Sequence, residues 1–532
     1  ALQSVRPKAG SGLADHNMAV LSLGYAPDPS MGVGTGLRIL SSGDPRFREA
    51  ALLDLGFAWR PAPFLAFTFV GRDLNAPFDI ATRRGAGLPA SFLLGTAIRP
   101  GGVDWVTFDV SSTLDTEGAI GLRGTVLSVV PYLGRVFGTG ELRDVDQDPV
   151  YQVTGGLSVD WGRAGIGGGV VGGENQGTLD GFGMAHLSGA AHTGLPEPKY
   201  IADFTLSNGD ARGILALLAR LDAARSDNRV AGVLIRVRGS GIGTAYAEEI
   251  REAISLIRAT GRPVVCHLDS ASHAEFFACA AATHTYFDPA GGARLLGHAS
   301  DTLLYGEALH RLGVRTEFVR IGEYKSAAEQ FTSSRNTEPA REQREALYDD
   351  VQDLIARELA KDFRTTPDRI RALIDGGPYL ASELRDRHLI RGDADALAMD
   401  DELASAFGGP FPLRDRKPAT MPHAWGTPSR VGVVVVDGDL VDGDNIDIPI
   451  VGIHCSGGQT IARTLDRYAH DPSIAAIVLR IDSPGGSVLA SDQIWRAVRR
   501  ARARKPVIAS MGSVAASGGY YIASAADEIW AD

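Results

Sequence analysis

The strongest constraint on the fold is an internal repeat in the 532-residue chain. Residues 228–237 align with residues 472–481, and after one gap residues 262–265 align with residues 505–508. Each copy begins with an apolar run typical of a buried strand, and a second such run follows after a segment of helical length. A strand, a helix and a second strand in this order form a parallel sheet with a crossover helix. The repeat therefore predicts two successive α/β units.

The repeat also suggests how the chain is divided. We expect a β-rich domain over residues 1–195, a first α/β repeat over residues 196–409, a Pro-rich linker over residues 410–430 and a second repeat over residues 431–532. The first copy continues for roughly a hundred residues beyond the point that is equivalent to the end of the chain. The C-terminal part of the second repeat is therefore expected to be missing.

The region before residue 195 alternates apolar residues with polar or small ones. Leu53, Leu55, Phe57 and Trp59 are separated by single residues of the other kind, which is the period of a β-strand. Similar runs, separated by Gly-rich or Asp-rich turns, follow at residues 92–99, 103–110, 120–130 and 151–160. This pattern predicts an antiparallel, barrel-like β domain.

Two environments fit this alternation. The Gly- and aromatic-rich runs are similar to strands of bacterial outer-membrane barrels, but a soluble sandwich or barrel has the same period. In a membrane, Leu53 and Phe57 would face lipid and Asp54 a polar interior, whereas in a soluble domain the apolar residues would form an interior core. The runs look short for strands that cross a membrane in about ten residues, which favours the soluble or periplasm-facing version.

Composition excludes several classes of function. Hydrophobic residues make up 44% of the chain and charged residues 22%, as in ordinary globular proteins. The formal net charge of −11 argues against nucleic acid as a partner. The three cysteines form no CxxC pair and no His/Cys ligand spacing, so no metal site is expected.

The two copies differ where a catalytic site would lie. The second copy has Asp-Ser-Pro-Gly-Gly-Ser at residues 482–487, and it places Ser517 before Gly518 and Gly519 where the first copy has Ala274. The amides of a Gly-Gly loop can approach a ligand closely, as an oxyanion hole requires. A serine at the start of a helix lies near free N–H groups. Ser517 is therefore the candidate nucleophile, although Gly-Gly loops and Ser-Gly pairs also occur in ordinary turns.

A serine nucleophile requires a general base. His454 and His470 show no placement relative to Ser517 and are interpreted as surface residues. A lysine can act as the base when burial lowers its pKa towards neutrality. Lys325 lies among small and apolar residues in Ile-Gly-Glu-Tyr-Lys-Ser-Ala-Ala-Glu and is the candidate base. The alternative is that Lys325 is an ordinary exposed lysine.

Three segments together resemble those of a known peptidase family. They are residues 482–487, Ala-Ser-Gly-Gly-Tyr at residues 516–520 and Glu-Tyr-Lys-Ser-Ala at residues 323–327. They are similar to the hallmark segments of signal peptide peptidase A (protease IV), and the resemblance covers about residues 200–532. It implies two tandem α/β repeats of the Clp protease/crotonase-like fold, the second of them truncated.

The resemblance also implies a site and a function. In double-length members of the family the lysine comes from the first repeat and the serine from the second, which implies a dyad of Ser517 and Lys325. The oxyanion donors would be Gly485 or Gly486 and Gly518. The implied enzyme is a serine endopeptidase without a cofactor that degrades cleaved signal peptides or other short membrane-associated peptides. It would be a membrane-associated homo-oligomer, a tetramer, in the bacterial cell envelope, with its catalytic part facing the periplasm.

Two other functions compete with a peptidase. A crotonase-type acyl-CoA enzyme would use oxyanion amides without a nucleophilic serine, and the presence of both Ser517 and Lys325 counts against it. A non-catalytic envelope scaffold would use the β-rich domain to anchor an inert peptidase-like module. That domain stands where family members usually carry a membrane helix.

Overall fold

The structure is a computed structural model, and it describes most of the chain. The described residues are 2–5, 16–28, 30–42, 50–75, 89–102, 105–130, 134–146, 149–174, 180–192, 199–397, 399–415, 425–426, 429–448 and 453–531. The chain divides into two compact units, Ala1–Pro198 with Ala419–Arg430, and Lys199–Pro418 with Val431–Asp532. Residues 416–424 and 427–428 of the expected linker lie outside the described residues.

The first unit contains one antiparallel sheet whose eleven described strands are neighbours in chain order. The strands are β1 (Leu2–Val5), β2 (His16–Asp28), β3 (Met31–Ser42), β4 (Ala50–Ala62), β5 (Leu65–Arg72), β6 (Ser91–Ile98), β7 (Val106–Asp115), β8 (Ile120–Val130), β9 (Gly134–Arg143), β10 (Val150–Gly173) and β11 (Asp180–His192). The prediction of a large antiparallel β region at this end of the chain is confirmed. The run expected over residues 103–110 starts as a strand at Val106, and residues 103–104 lie outside the described residues.

Two expectations for this sheet are wrong. The soluble version placed the alternating apolar residues in an interior core, but Leu55, Phe57 and Trp59 are 41–49% exposed. On the opposite face, Asp54 pairs with Arg38. The strands are also longer than expected, with 12 residues in β3 and 13 in β4. Alternation gives the period of a strand but not the face that is enclosed, and glycines within the strands interrupt the apolar runs.

The second unit is built from strands and helices in alternation. Its first part contains β12 (Tyr200–Leu206), α1 (Ala211–Ser226), β13 (Val230–Val237), α2 (Thr244–Ala259), β14 (Val264–Leu268), β15 (Ala271–Ser272), α3 (His273–Ala280), β16 (His284–Phe287), β17 (Gly292–Arg294), α4 (Gly306–Arg311), α5 (Glu329–Thr332), α6 (Glu338–Asp362), α7 (Pro367–Asp375), β18 (Tyr379–Leu380), α8 (Ala381–Asp386), β19 (Gly392–Asp393), α9 (Asp400–Phe407) and β20 (Leu413–Arg414). Within the described ranges, no helix is both long enough and apolar enough to cross a membrane.

The remaining elements form a second, smaller α/β part. They are β21 (Arg430–Asp437), β22 (Asp439–Val441), β23 (Ile446–Ile448), β24 (Ile453–Gly457), α10 (Gly458–His470), β25 (Ile474–Ser483), α11 (Val488–Arg502), β26 (Val507–Ala515), α12 (Gly518–Ala523) and β27 (Glu528–Trp530). Three strands, β22, β24 and β23, form a small separate sheet beside the main one.

The two main sheets of the second unit have the same connectivity. The first has the strand order β19-β16-β14-β13-β12-β20, and the second has the order β21-β25-β26-β27. The elements β12-α1-β13-α2-β14-α3-β16 therefore match β21-α10-β25-α11-β26-α12-β27 both along the chain and across the sheet. The α/β region predicted to follow the N-terminal sheet is confirmed.

Each main sheet is covered by helices that bury an apolar face. In the first part, α2 buries Ala247, Ile250, Ile254 and Ile257, which recur at helical spacing. In the second part, α10, α11 and α12 cover the sheet around the fully buried Ile481. Burying a side chain of this size contributes about 1.5–3 kcal/mol, so these two cores hold the ends of β25 and β26 in place.

Candidate active site

Ser517 lies in the turn between β26 and α12, and its backbone is strained. Its φ and ψ angles are 50° and −112°, a conformation with positive φ that a side chain disfavours. Holding such a residue costs about 1–3 kcal/mol, so the surrounding structure must impose it. The side chain is exposed, whereas Gly518 and Gly519 behind it are buried. The turn therefore presents a serine hydroxyl to solvent on a fixed backbone.

The glycine loop that follows β25 lies directly against this turn. Gly485 has a φ of 98°, and a Cβ built on it would lie 2.5 Å from the amide nitrogen of Gly518 and 2.9 Å from the Cβ of Ser517. A Cβ built on Gly518 would lie 2.4 Å from the Oγ of Ser491. Only glycine allows the two segments to approach this closely. The structure thus brings Ser517 together with Gly485 and Gly518, two of the three predicted oxyanion glycines.

Hydrogen bonds distinguish the two glycines of this loop. The N–H of Gly485 donates to the Oγ of Ser483 at 3.1 Å. The loop pairs with Leu440, whose N–H donates to the carbonyl of Gly485 and whose carbonyl accepts from Ser487, both at 2.8 Å. Neither bond uses the amide of Gly486. The amide of Gly518, in the first turn of α12, has no acceptor within its own helix. Gly486 and Gly518 are therefore better placed than Gly485 to donate to a ligand.

Hydrogen bonds of Asp482 connect the glycine loop to the strand that leads to Ser517. Its Oδ1 accepts from the N–H of Val514 at 2.9 Å, and its backbone carbonyl accepts from Gly438 at 3.0 Å. Its Oδ2 accepts a 2.5 Å hydrogen bond from the Oη of Tyr246, which lies on α2 in the first α/β part. Burial and this bond raise the pKa of Tyr246 far above its ordinary value, so the phenol remains a donor.

A buried ion pair joins the same two parts. Both terminal nitrogens of Arg480 donate to Glu249 on α2, at 2.6 Å and 2.9 Å, and the Arg480 side chain is 3% exposed. The guanidinium also donates to the Oγ of Ser510 at 2.7 Å and lies over the ring of Tyr246. Its Nε has no hydrogen-bond partner among the described residues. A buried charge of this kind depends on its partner, so Glu249 helps to hold the two parts together.

Sequence reasoning missed the roles of Tyr246 and Glu249. Both lie on α2, which is the segment of helical length between the two apolar runs of the first copy. Their partners are more than 230 positions away along the chain. The available signal was the charge of Arg480 inside an otherwise apolar strand, which requires a buried partner.

The expected match of Ala274 with Ser517 is wrong, because Ser272 caps α3 as Ser517 caps α12. Ala274 is 2% exposed on α3, and the residue that caps this helix, Ser272, has an ordinary φ of −69°. The carboxylate of Glu275 accepts from the Oγ of Ser240, the N–H of Gly241 and the N–H of Ser272. These three donors are therefore already hydrogen-bonded to a buried carboxylate. The first part has a serine at this place, but without the strained backbone of Ser517.

Lys325 lies in a long connection of the first α/β part. It lies between α4 and α5 with an exposed side chain, and its carbonyl accepts a 2.8 Å hydrogen bond from Arg320. Within the described residues, the ammonium of Lys325 makes no hydrogen bond to Ser517. The segment around it exposes large apolar side chains, with Val319 fully exposed and Ile321 91% exposed. The structure brings together the serine and the glycines, and leaves the lysine on an exposed apolar segment.

Comparisons with known proteins show similarity to a peptidase family in the regions of Lys325 and Ser517. The sequence profile of Peptidase family S49 matches residues 257–399 and 499–532, ranges that contain Lys325 and Ser517. Protease 4 of Haemophilus influenzae is 29% identical over 334 residues, which are 59% of this chain and 53% of that protein. Protease 4 of Salmonella typhi is 29% identical over 321 residues, which are 58% of this chain and 51% of that protein.

A relative from a plant is similar to this chain over a comparable length. Serine protease SPPA, chloroplastic, of Arabidopsis thaliana is 27% identical over 322 residues, which are 58% of this chain and 47% of that protein. The chain thus spans about half the length of these curated relatives. The chain is therefore similar to peptidase family S49 over residues 257–399 and 499–532, which include the serine turn, and to proteins named protease 4 and serine protease SPPA.

Proposed function

We propose that the chain is a serine endopeptidase whose nucleophile is Ser517. The observation that carries the proposal is the strained, exposed Ser517 turn with Gly485 packed against Gly518. A hydroxyl on a fixed turn beside glycine amides is the arrangement that acyl transfer requires. The names of the S49 relatives, protease 4 and serine protease SPPA, point to the same chemistry.

The amides of Gly486 and Gly518 are the proposed oxyanion donors. When Ser517 attacks a peptide carbonyl, negative charge develops on the carbonyl oxygen, and two aligned N–H groups stabilise it. Removal of one such donor typically raises the barrier by about 3–4 kcal/mol. Gly485, whose N–H is bonded to Ser483, contributes by allowing the close approach of the two loops.

Lys325 is the proposed general base. In its neutral form it would take the proton of the Ser517 hydroxyl as the oxygen attacks, and return that proton to the leaving amine. The resulting acyl-enzyme would be hydrolysed by a water that Lys325 activates. Because Lys325 lies on an exposed apolar segment, the pairing requires this segment to pack against the serine turn, either within one chain or between chains.

We propose that this packing accompanies assembly into a homo-oligomer, a tetramer. Around Lys325, Phe318, Val319, Ile321 and Tyr324 expose 45% or more of their surface. Apolar surface that is concentrated in this way is typical of a contact region. The proposed substrates are cleaved signal peptides or other short membrane-associated peptides in the cell envelope, on the periplasmic side of a bacterial membrane. We also propose that residues 196–409 and 431–532 are tandem Clp protease/crotonase-like repeats.

Labelling with a fluorophosphonate probe tests this proposal. The full chain should become labelled, the Ser517→Ala variant should not, and Ser513→Ala should label like the parent protein because Ser513 is an exposed serine on β26. Lys325→Arg should label more slowly, since a guanidinium stays charged and cannot take a proton. An unlabelled parent protein would favour the non-catalytic scaffold.

A further inference from the structure

One face of the eleven-stranded sheet is apolar and exposed across many neighbouring strands. On β3 and β4 every second side chain of the described residues is apolar or small and exposed. The same holds on the strands around them, as shown by one exposed residue from each of β2 to β7: Leu21, Ile39, Phe57, Phe69, Leu94 and Val110. Water-soluble proteins rarely expose an apolar patch of more than a few hundred Å², so this face requires an apolar partner.

The opposite face of the sheet is polar and internally paired. Arg38 binds Asp54 at 2.9 Å and Asp73 at 2.5 Å, and Arg135 binds the fully buried Asp160 at 2.9 Å. A sheet in water places its apolar face inside and its charges outside. This sheet has the reverse arrangement, with charges enclosed and apolar side chains outside.

The strands are long enough to cross the apolar layer of a membrane. β3, β4 and β8 contain 12, 13 and 11 residues. A tilted strand of about 9–11 residues spans the hydrocarbon layer of a bilayer. The strands that carry the exposed apolar face are therefore long enough to span that layer.

Aromatic side chains gather at one end of the exposed face. Tyr25 lies near the end of β2, Trp59 near the end of β4, and Trp105 just before β7. These strand ends share one end of an antiparallel meander. Trp59 also stacks on Phe67 of β5, with ring centroids 5.6 Å apart. Tyrosine and tryptophan are enriched where a lipid bilayer meets water, because one end of the ring is apolar and the other polar.

We propose that the exposed face of this sheet is embedded in the hydrocarbon layer of a lipid bilayer. The edge strands β1 and β11 approach to within 8 Å between Cα atoms, which favours an enclosed polar face. A bilayer can surround apolar side chains on every strand at once, whereas a second copy of the chain could cover only part of them. This inference does not depend on the peptidase chemistry.

Site-directed spin labelling tests the proposal on the full chain in phosphatidylcholine vesicles. Single cysteines would replace Leu55 or Phe57 on the exposed face and Ala58 or Thr68 on the opposite face. The background would be Cys455→Ala, because Cys266 and Cys279 are buried. Labels on the exposed face should collide several-fold more often with oxygen, which concentrates in lipid, and less often with a water-soluble nickel complex.

Two results would overturn the proposal. One is equal access of the nickel complex to both faces. The other is spectral broadening between labels on the exposed face, which would show that a second copy covers it.

A second measurement covers the case in which a labelled variant does not fold. Flotation of the unlabelled chain with vesicles should fall more than about tenfold for Leu55→Arg, since a charge on a lipid-facing strand disfavours insertion. Leu397→Arg, which changes an exposed leucine outside this sheet, should float like the parent protein. A parent chain that stays dispersed in detergent-free buffer and does not float would contradict a lipid-facing sheet.

Discussion

The Oη of Tyr246 and the Oδ2 of Asp482 are joined by a 2.5 Å hydrogen bond that links the first α/β part to the glycine loop beside Ser517. Tyr246 lies on α2, and Asp482 begins the segment that leads to Gly485 and Gly486. The first part, whose corresponding turn lacks the strained backbone of Ser517, thus helps to position the loop that the second part uses.

Tyr246→Phe should weaken both stability and turnover. The variant removes a bond to a charged group and leaves the Asp482 carboxylate without this donor, at a cost of about 1.5–3 kcal/mol in the free energy of unfolding. A shifted glycine loop should lower kcat by about tenfold to a hundredfold. Tyr379→Phe is the control, because it removes a 2.7 Å bond to the carbonyl of Leu373, away from the loop. If both variants kept full turnover, Tyr246 would have no positioning role.

Glu249→Gln should destabilise the second unit strongly. It leaves the buried Arg480 guanidinium without its anionic partner, and breaking such a pair costs about 3–5 kcal/mol. Denaturant unfolding followed by circular dichroism measures the change. Glu338→Gln removes the exposed pair with Arg341 and should cost less than about 1 kcal/mol. Equal losses in the two variants would contradict the role assigned to the buried pair.

Glu275 should give the protein an acid-sensitive contribution to stability. Burial alone would raise the pKa of this carboxyl, but donors from Ser272, Ser240 and Gly241 outweigh it and lower the pKa. A carboxyl whose folded-state pKa is depressed stabilises the protein above its unfolded-state pKa of about 4.3, and the contribution disappears as the pH falls through the folded-state value.

The measurement is the free energy of unfolding of Glu275→Gln relative to the parent protein as a function of pH. The parent should be more stable at pH 7, and the difference should shrink below about pH 4. A difference that does not change with pH would show that the hydrogen bonds of Glu275 do not depend on its charge.

Gly485→Ala should remove activity through crowding as well as backbone strain. A positive φ disfavours alanine by about 1–2 kcal/mol, and this cost applies equally to Gly443→Ala, where φ is 83° and nothing lies within 4 Å of the added Cβ. Only at Gly485 does the methyl group press on Gly518 and Ser517. Peptide turnover should therefore be lost in Gly485→Ala and kept in Gly443→Ala. Similar turnover in the two variants would contradict the close packing of the loops.

The sequence predicted the strands and helices of this protein better than it predicted which of their faces are exposed. The repeat between residues 228–237 and 472–481 predicted α/β structure, because buried strands are apolar runs and helices show their own period. Alternation around Phe57 predicted strands but left open whether their apolar face lies inside or outside, since the period is the same for either orientation. The orientation of the strands follows from Asp54. Its ion pair with Arg38 lies on the face opposite the exposed apolar side chains.

The candidate site was predictable where it depends on neighbours in the chain. Gly518 and Ser517 are adjacent, and Gly485 belongs to a loop whose composition indicates a close approach. Lys325 is different, because its position relative to Ser517 depends on how an exposed segment packs, and neither composition nor spacing specifies that. The bond between Tyr246 and Asp482 likewise arises only when the two parts meet.

The rate of peptide hydrolysis by Ser517→Ala tests the central claim most directly. The variant should fold like the parent protein, as judged by circular dichroism, because Ser517 is exposed and its hydroxyl carries none of the packing around Ile481 and Ile522. Turnover of an unstructured peptide should fall by roughly ten-thousandfold or more, since the attacking oxygen is gone. Turnover close to that of the parent protein would show that Ser517 is not the nucleophile.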